Sequence, residues 1–228
     1  MKNVVNALQV SRFIAAYDQA ADQKGIKISV GFDFEEYVSI TSVLPTKGRT
    51  YPNFRPDRSP IVPGYGYWII GVNKDDDVVL TEAARLYDLS ESSFSHHLES
   101  LKAFYGDPAI HAHPRDRCVC KAPSAKEITG RVAYHGDRWV REDFRGQGIA
   151  KIIAGTARGV SLSMWSPDFV CGLVARRLLE KGSVYGYAHH EPGGSILQLV
   201  NENIVDDDWL TWLTGDELRR LVSGAGSL

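Results

Sequence analysis

The sequence predicts a mixed α/β domain in which helices flank a central sheet. Three observations support this prediction: strand-like and helix-like segments alternate, two apolar runs in the first half form a hairpin pattern, and a glycine turn later joins a strand to an amphipathic helix. The length of 228 residues suits one large domain with its own core. Because neither a repeat nor a linker divides the chain, we predict a single domain over residues 1–228.

The composition is that of an ordinary globular protein, and it excludes several classes of function. Hydrophobic residues make up 43% of the chain and charged residues 24%, which argues against disorder and fibrous architecture. The formal net charge is -2 and no Lys/Arg-rich block occurs, so we do not expect a nucleic-acid partner. No apolar run approaches the roughly 20 residues of a membrane span, and the chain starts without the apolar core of a signal peptide. We therefore expect a cytoplasmic protein with no membrane partner.

The first half of the chain predicts a helix, a strand, a second helix, a loop and a hairpin, in that order. Apolar residues at helical spacing predict an N-terminal helix over about residues 4–24, and strict alternation predicts a strand at 26–32. A capping pattern after this strand starts a short helix. Repeated prolines make residues 44–66 an irregular loop, and the two apolar runs that follow predict a hairpin at 65–86.

The second half predicts an insertion followed by the remaining strands and helices. Residues of about 89–127 form the insertion, which opens with a helix that ends near Gly106. Periodicity and capping patterns then predict, in order, a strand at 128–140, a helix after the glycine turn, a strand at 168–174, a short helix at 175–181, a strand at 195–200 and a helical tail at about 206–223.

Four potential metal ligands lie within ten residues of the insertion, at His111, His113, Cys118 and Cys120. One intervening residue separates the members of each pair, whereas zinc ligands usually have two to four residues between them. Alternate residues of a strand produce the same pattern without a metal. We therefore expect no metal in the protein, and zinc at these four residues is the minority alternative.

The strongest functional signal is the segment Arg145-Gly146-Gln147-Gly148-Ile149-Ala150, which lies between a strand and an amphipathic helix. Such a turn leaves several backbone N–H groups unpaired at the positive end of the helix. Glycine lets phosphate oxygens approach these amides, and Arg145 can add a charge-assisted hydrogen bond. The pattern is neither G-x-G-x-x-G nor a P-loop, which argues against dinucleotides and nucleoside triphosphates. The segment therefore predicts a pyrophosphate site, and the alternative is a tight turn without a ligand.

This segment resembles the R/Q-x-x-G-x-G/A signature of the GNAT superfamily, the N-acetyltransferases that use acetyl-CoA. The strand end at Trp139-Val140, the hairpin before it and the strand after it also resemble the family's order of elements. The resemblance implies a central mixed, mostly antiparallel twisted sheet, with a core over about residues 26–200. Relative to the family, we expect an extra N-terminal helix and an unusually long helical insertion between the third and fourth strands.

The resemblance also implies acetyl-CoA as co-substrate. The amides of residues 146–150 and the Arg145 side chain would hold its pyrophosphate, and backbone groups of Trp139 and Val140 would pair with the pantetheine arm. The implied cofactor-binding residues are Trp139, Val140, Arg145, Gly146, Gln147, Gly148, Ile149 and Ala150.

The activity implied by the resemblance is transfer of an acetyl group from acetyl-CoA to an amine. We expect direct attack in a ternary complex, because no motif pairs Cys118, Cys120 or Cys171 with a base. The acceptor is expected to be a small-molecule amine rather than a protein amine, and the oligomeric state, such as a homodimer, is left open. Two alternatives are a noncatalytic acyl-CoA-binding module and a transferase that uses a longer acyl-CoA.

Three residues are candidates for proton transfer. The position where the family often has a tyrosine acid falls on Leu179, so Tyr185 is the nearest substitute. His135 lies in the strand before the glycine loop, and an ordinary histidine pKa near ~6.5 suits a base. Glu82 lies among apolar residues of the hairpin, where a carboxylate must be exposed, paired or used. The alternatives are a packed tyrosine, a satisfied core histidine and an exposed glutamate.

Overall fold

The computed structural model describes residues 6–179 and 186–224. All strands in these ranges belong to one sheet of eight, in the order β1-β2-β3-β5-β6-β8-β7-β4. The strands are β1 (Lys27–Gly31), β2 (Gly66–Val72), β3 (Val78–Leu89), β4 (Arg117–Val119), β5 (Gly130–Val140), β6 (Phe169–Ala175), β7 (His189–Leu199) and β8 (Ile204–Thr214). The β5–β6 pair is parallel and every other neighbouring pair is antiparallel. The predicted mixed, mostly antiparallel sheet is thereby confirmed.

Helices cover both faces of the sheet. They are α1 (Ala7–Asp22), α2 (Phe34–Ser42), α3 (Phe94–Glu99), α4 (Pro108–His111), α5 (Ile149–Trp165), α6 (Arg176–Leu179) and α7 (Gly215–Gly224). α1, α5 and α7 pack together on one face, here called the α5 face, over a core that includes Phe13 and Ile153. α2, α3 and the loop before β2 cover the opposite face, here called the α2 face, over an aromatic core that includes Tyr37 and Phe54. No helix in the described ranges is long and apolar enough to cross a membrane.

The first half of the chain folds largely as its local patterns predict. The Asp33 carboxylate accepts hydrogen bonds from the amides of Glu35 and Glu36, which starts α2 where the capping pattern places it. The first strand differs from the prediction in its burial. Val30 is 39% exposed and Phe32 60%, because β1 lies at the edge of the sheet and pairs with β2 alone.

The insertion contains less helix than predicted, and it adds a strand. β3 continues to Leu89 and α3 ends at Glu99, so the predicted helix is reduced to two turns. Further along, β4 pairs with β7 at the far edge of the sheet, where Cys118 lies opposite Leu197. A partner some 80 residues away in the chain decides this strand, and local periodicity carries no signal for it.

The helical tail predicted at about 206–223 is wrong over its first part. Residues 204–214 form β8, a central strand between β6 and β7, and the helix is confined to Gly215–Gly224. The run from Trp209 to Thr214 is rich in tryptophan and threonine, which favour strands, and it is flanked on both sides by paired strands. A capping box starts α7: the amide of Glu217 donates to Thr214 Oγ1, and the amide of Thr214 donates to Glu217 Oε2. The sheet therefore extends beyond the predicted core boundary near residue 200.

β5 and β6 pair over a short length and then separate. Val132–Tyr134 pairs with Phe169–Cys171, and beyond this β5 follows β3 while β6 follows β8. A bulge in β5 places Asp137 and Arg138 opposite the single residue Glu82 and gives Asp137 a φ of 52°. The space between residues 136–140 of β5 and 172–175 of β6 is here called the split.

Candidate functional site

The glycine loop joins the end of β5 to α5 and is open in front. Gly146 has a φ of 75° and Gly148 a φ of 81°, in the left-handed region that favours glycine. A Cβ atom at either position would meet no heavy atom within 4 Å. The glycines are therefore required by the backbone conformation, and the space beside them is free for a ligand.

The amides of this loop form a set of unused donors. The first backbone hydrogen bonds after the loop run from the amides of Lys151 and Ile152 to the carbonyl oxygen of Gly148. Within the described part of the chain, no backbone hydrogen bond outside helices and strands is donated by the amides of residues 146–150. They lie at the positive end of α5, which is 17 residues long. This geometry favours binding of an anion.

Two side chains of the loop fold back toward the protein. Arg145 Nε donates a 2.9 Å hydrogen bond to the carbonyl oxygen of Val140, and Gln147 Nε2 donates one of 2.8 Å to the carbonyl oxygen of Asp143. Arg145 is exposed, so its guanidinium lies at the surface beside the amides. These contacts hold the loop against the end of β5.

The register of β5 distinguishes Val140 from Trp139. The amide of Arg141 donates to the carbonyl oxygen of Val79, which makes Leu80 and Val140 a pair without hydrogen bonds to each other. The backbone N–H and C=O of Val140 therefore turn away from β3, toward the split, whereas those of Trp139 turn toward β3. Of the two residues predicted to pair with a pantetheine arm, Val140 has the backbone orientation for it, through its N–H, because its carbonyl oxygen already accepts a hydrogen bond from Arg145.

Glu82 and His135 lie together in a sealed polar network on the α5 face. Both oxygens of Glu82 accept 2.8 Å hydrogen bonds from Arg138, and Glu82 Oε1 lies 3.5 Å from His135 Nδ1. His135 Nε2 is 2.8 Å from Ser161 Oγ of α5, which in turn is 2.9 Å from the hydroxyl of Tyr67. The side chains of Glu82 and His135 are 0% and 1% exposed.

The charge states of this network follow from its geometry. Burial alone would raise the pKa of Glu82, but the charge of Arg138 and hydrogen bonds from His135 and Arg138 lower that pKa to about 2. Burial lowers the pKa of His135, so its imidazole is neutral near pH 7. The geometry favours a satisfied core histidine over an exposed base, and Glu82 is buried and paired rather than exposed.

Tyr185, the third residue predicted to transfer protons, lies outside the described residues. The structure brings another tyrosine to the split: a Cβ at Gly172 would lie 3.2 Å from the Tyr187 hydroxyl and 3.1 Å from the carbonyl oxygen of His135. The Arg158 guanidinium lies over the Tyr187 ring, 4.8 Å from its centroid. Tyr187 is not among the residues that the sequence predicts to transfer protons, because no periodic pattern covers residues 186–188.

The α2 face of the split carries acidic residues from two strands. Asp137 is buried and paired, since its carboxylate lies 2.7 Å from Lys47 Nζ and accepts a 2.7 Å hydrogen bond from the Tyr37 hydroxyl. Asp206 of β8 accepts a hydrogen bond from the Tyr51 hydroxyl. Asp208, two residues later on the same face, makes no hydrogen bond or ion pair within residues 6–179 and 186–224.

The His and Cys residues of the insertion do not converge on one point. Cys118 Sγ lies 3.4 Å from Ser195 Oγ on the adjacent strand, and His113 Nδ1 accepts a hydrogen bond from the amide of Arg115. The described residues contain no group of three or more His, Cys, Asp or Glu side chains able to hold a metal ion.

The chain has counterparts among solved structures. It is similar to NAA60 of Arabidopsis thaliana in complex with acetyl-CoA, at 15% identity over 83% of this chain and 98% of that one, with a TM-score of 0.48. It is also similar to a mutant of the spermidine N-acetyltransferase SpeG of Vibrio cholerae, at 7% identity over 86% and 96% of the two chains, with a TM-score of 0.46.

A third counterpart is FeeM, an N-acyl amino acid synthase from uncultured soil microbes. The identity is 11% over 98% of this chain and 96% of that one, with a TM-score of 0.41. No protein-family model and no curated protein sequence matches the chain. These similarities are weak in identity and in TM-score, so the assignment of a function depends on the chain's own residues.

Proposed function

We propose that the protein is an N-acyltransferase that moves an acetyl group from acetyl-CoA to an amine in a ternary complex. The observation that carries this proposal is the row of unpaired amides at residues 146–150, directly beside the split between β5 and β6. A diphosphate bound by these amides leaves the remainder of a coenzyme able to run along the free edge of β5. The GNAT resemblance of the same segment supports the same ligand.

The chain's own residues would hold the coenzyme in three places. The amides of residues 146–150 and the positive end of α5 would bind the pyrophosphate, with Arg145 beside them. The backbone of Val140 would pair with the pantetheine arm, and its N–H is suited to polarise a carbonyl oxygen that lies in the split. When bound, acetyl-CoA supplies the thioester whose acetyl group is transferred.

Tyr187 is our candidate for the group that protonates the departing thiolate. Burial raises its pKa to about 12, despite the opposing charges of Arg158 and Arg138, so the phenol keeps its proton at neutral pH. Its hydroxyl lies at the split on the α5 face. We expect Tyr187→Phe to lower kcat about 10-fold or more with little change in the Kd of acetyl-CoA. An unchanged kcat would leave the role to Tyr185 or to water.

The binding site is tested by calorimetric titration of acetyl-CoA into the wild type and Gly148→Glu. The added carboxylate would occupy the anion site, so we expect binding to weaken at least about 30-fold. Gly25→Glu is the matched control, because Gly25 also has a positive φ of 68° and a Cβ added there would likewise meet no heavy atom within 4 Å.

The control variant should bind acetyl-CoA like the wild type, since it adds the same charge and the same backbone strain at a distant turn. A folded wild type that does not bind acetyl-CoA would contradict the proposal. If Gly148→Glu bound acetyl-CoA as tightly as the wild type, the coenzyme would bind somewhere other than the glycine loop.

A further inference from the structure

We propose that Asp208 forms the acceptor site: it binds the substrate as a protonated amine on the α2 face of the split and then takes one of its protons. This assignment rests on the acyltransferase function proposed above. It names the substrate class as amines that carry no carboxylate next to the reacting nitrogen.

The strand register places Asp208 at the split. Its Cα partners are Ala175, the last residue of β6, and Ser195 of β7. Side chains alternate along β8, so Asp208 lies on the same face as Asp206 and Leu210, and Leu210 belongs to the aromatic core of the α2 face. The carboxylate therefore lies across the sheet from α5 and its glycine loop.

Cations of the loop that covers the α2 face are matched by other carboxylates. Lys47 pairs with Asp137, while Arg55 and Arg58 of the proline-rich loop both pair with the buried Glu202. Asp208 is left with no ionic or hydrogen-bonding partner in the described ranges. A half-buried carboxylate without a counter-charge is costly, and a bound cation would remove that cost.

The hydroxyl of Tyr134 is a second polar group near Asp208. Tyr134 is 8% exposed, and its hydroxyl makes no hydrogen bond to any residue that the structure describes. The hydroxyl is not among the buried side-chain atoms of the described residues that lack a partner, so it lies where water reaches it. Burial raises the pKa of Tyr134, and the charges of Tyr87 and Asp208 raise it further, so Asp208 is close enough to act on this hydroxyl. An unpaired hydroxyl and an unpaired carboxylate together suit an ammonium group.

The groups around Asp208 on its own face are acidic or neutral: Asp206 of β8, Tyr51 of the loop, Tyr134 of β5 and Cys118 of β4. Two cations, Arg176 and Arg177, lie on α6, which packs against β8, but both are exposed and neither is among the charges that shift the pKa of Asp208. Burial raises the pKa of Asp208 to about 7, with Asp206 and Asp207 adding to the effect. A carboxylate that titrates near neutral pH can exchange protons with a bound amine during turnover.

The proton balance of the step is complete. One proton of the ammonium passes to Asp208, which frees the nitrogen lone pair to attack the acetyl carbon. As the C–N bond forms and the C–S bond breaks, a second proton leaves the nitrogen and one reaches the coenzyme sulfur. Asp208 then returns its proton to solvent. A carboxylate next to the amine would meet Asp206 and Asp208 at close range, so amino acids should be rejected.

Matched pairs of amines test this site. The probes are tyramine with L-tyrosine, phenethylamine with L-phenylalanine, and ethanolamine with L-serine, assayed by thiol release from acetyl-CoA. We expect at least one amine to be preferred over its parent amino acid by about 10-fold or more in kcat/KM. Asp208→Asn should lower kcat/KM for that amine about 20-fold or more and leave the Kd of acetyl-CoA unchanged.

Asp207→Asn is the matched control, because Asp207 carries the same charge on the same strand but is exposed on the opposite face. It should keep kcat/KM within about 2-fold of the wild type. For the wild type, kcat/KM should rise with pH through about 7, where Asp208 loses its proton. The profile of Asp208→Asn should lack this rise.

The outcomes separate the two proposals. Failure of the wild type to bind acetyl-CoA would overturn the acyltransferase function itself. If acetyl-CoA binds, the Asp208 assignment is overturned by any of three results: turnover of none of the amines, equal turnover of the parent amino acids, or undiminished activity of Asp208→Asn.

Discussion

Two polar clusters lie back to back at the split, one sealed and one half-buried, and they differ in how fully their groups are paired. On the α5 face, Glu82, His135 and Ser161 form a continuous chain with Arg138, and each has a partner within 3.5 Å. On the α2 face, Asp208 and Tyr134 have no such partners in the described chain. Burial of a titratable side chain therefore does not by itself mark a functional group, whereas a half-buried carboxylate without a counter-charge can take a cationic ligand.

Three side chains of the α5-face cluster have the residue types of a catalytic triad, but a substrate cannot reach them. Ser161, His135 and Glu82 follow the order of nucleophile, base and carboxylate. Ser161 lies on the buried side of α5 and is 0% exposed, so no substrate reaches it. The cluster instead ties the bulge of β5 to α5, and through it the position of the split.

The largest loss of stability is expected for Glu82→Ala. This change removes the carboxylate that Arg138 and His135 share, and breaking a buried pair from one side costs about 3–5 kcal/mol of unfolding free energy. The lowered pKa of Glu82 means that its contribution is present above pH 4.5 and is lost as the pH falls toward 2. Urea unfolding at pH 7 and pH 3 measures both. If Glu82→Ala were as stable as the wild type, the cluster would have no role in stabilising the fold.

Asp208→Asn should change the unfolding free energy in the opposite direction and stabilise the protein. The pKa of Asp208 is raised from 3.8 to about 7 in the folded protein, so ionisation destabilises the fold as the pH rises through this range. At pH 8 we expect the variant to be more stable than the wild type by roughly 2–4 kcal/mol. Near pH 4 the difference should largely vanish. A variant that is less stable than the wild type at pH 8 would show that Asp208 is paired. This result would contradict the proposed difference between the two clusters.

His135→Gln should have an intermediate effect. Loss of the imidazole contacts with Ser161 and Glu82 should cost roughly 1–2 kcal/mol of unfolding free energy, while kcat stays within about 3-fold at equal folded concentration. Because the histidine is neutral at pH 7, the pH profile of kcat should keep its shape. A folded variant with kcat reduced by two orders of magnitude would restore His135 as a catalytic base.

Tyr134→Phe should have the smallest effect on stability. The hydroxyl has no partner among the described residues, so its removal should change the unfolding free energy by less than about 0.5 kcal/mol. If the hydroxyl contacts the acceptor, KM for the preferred amine should rise about 3-fold. Thermal unfolding and steady-state kinetics test the two statements separately, and a large loss of stability would indicate a hidden partner.

Local sequence patterns predict the elements whose signals are local. The hairpin of β2 and β3, the loop at 146–148 and the start of α5 follow from alternation, glycine and helical period, and all three are found. β4 cannot be predicted in this way, because its pairing with β7 is decided by tertiary contacts.

The candidate site is predictable in part for the same reason. Residues 145–150 can be predicted from sequence, because the loop and its helix are contiguous. The sequence pattern places Asp208 in a helical tail, and that placement removes it from the sheet. Tyr134 reads as a core aromatic in sequence, and the absence of a partner for its hydroxyl among the described residues is visible only in the fold.

Hydrogen–deuterium exchange with and without acetyl-CoA tests the central claim most directly. The amides of residues 146–150 lack backbone partners among the described residues of the free protein, so they should exchange quickly and become protected when the coenzyme binds. We expect the protection to be strongest at residues 146–150 and to include the amide of Val140. Binding of acetyl-CoA that leaves these amides unprotected would contradict the account.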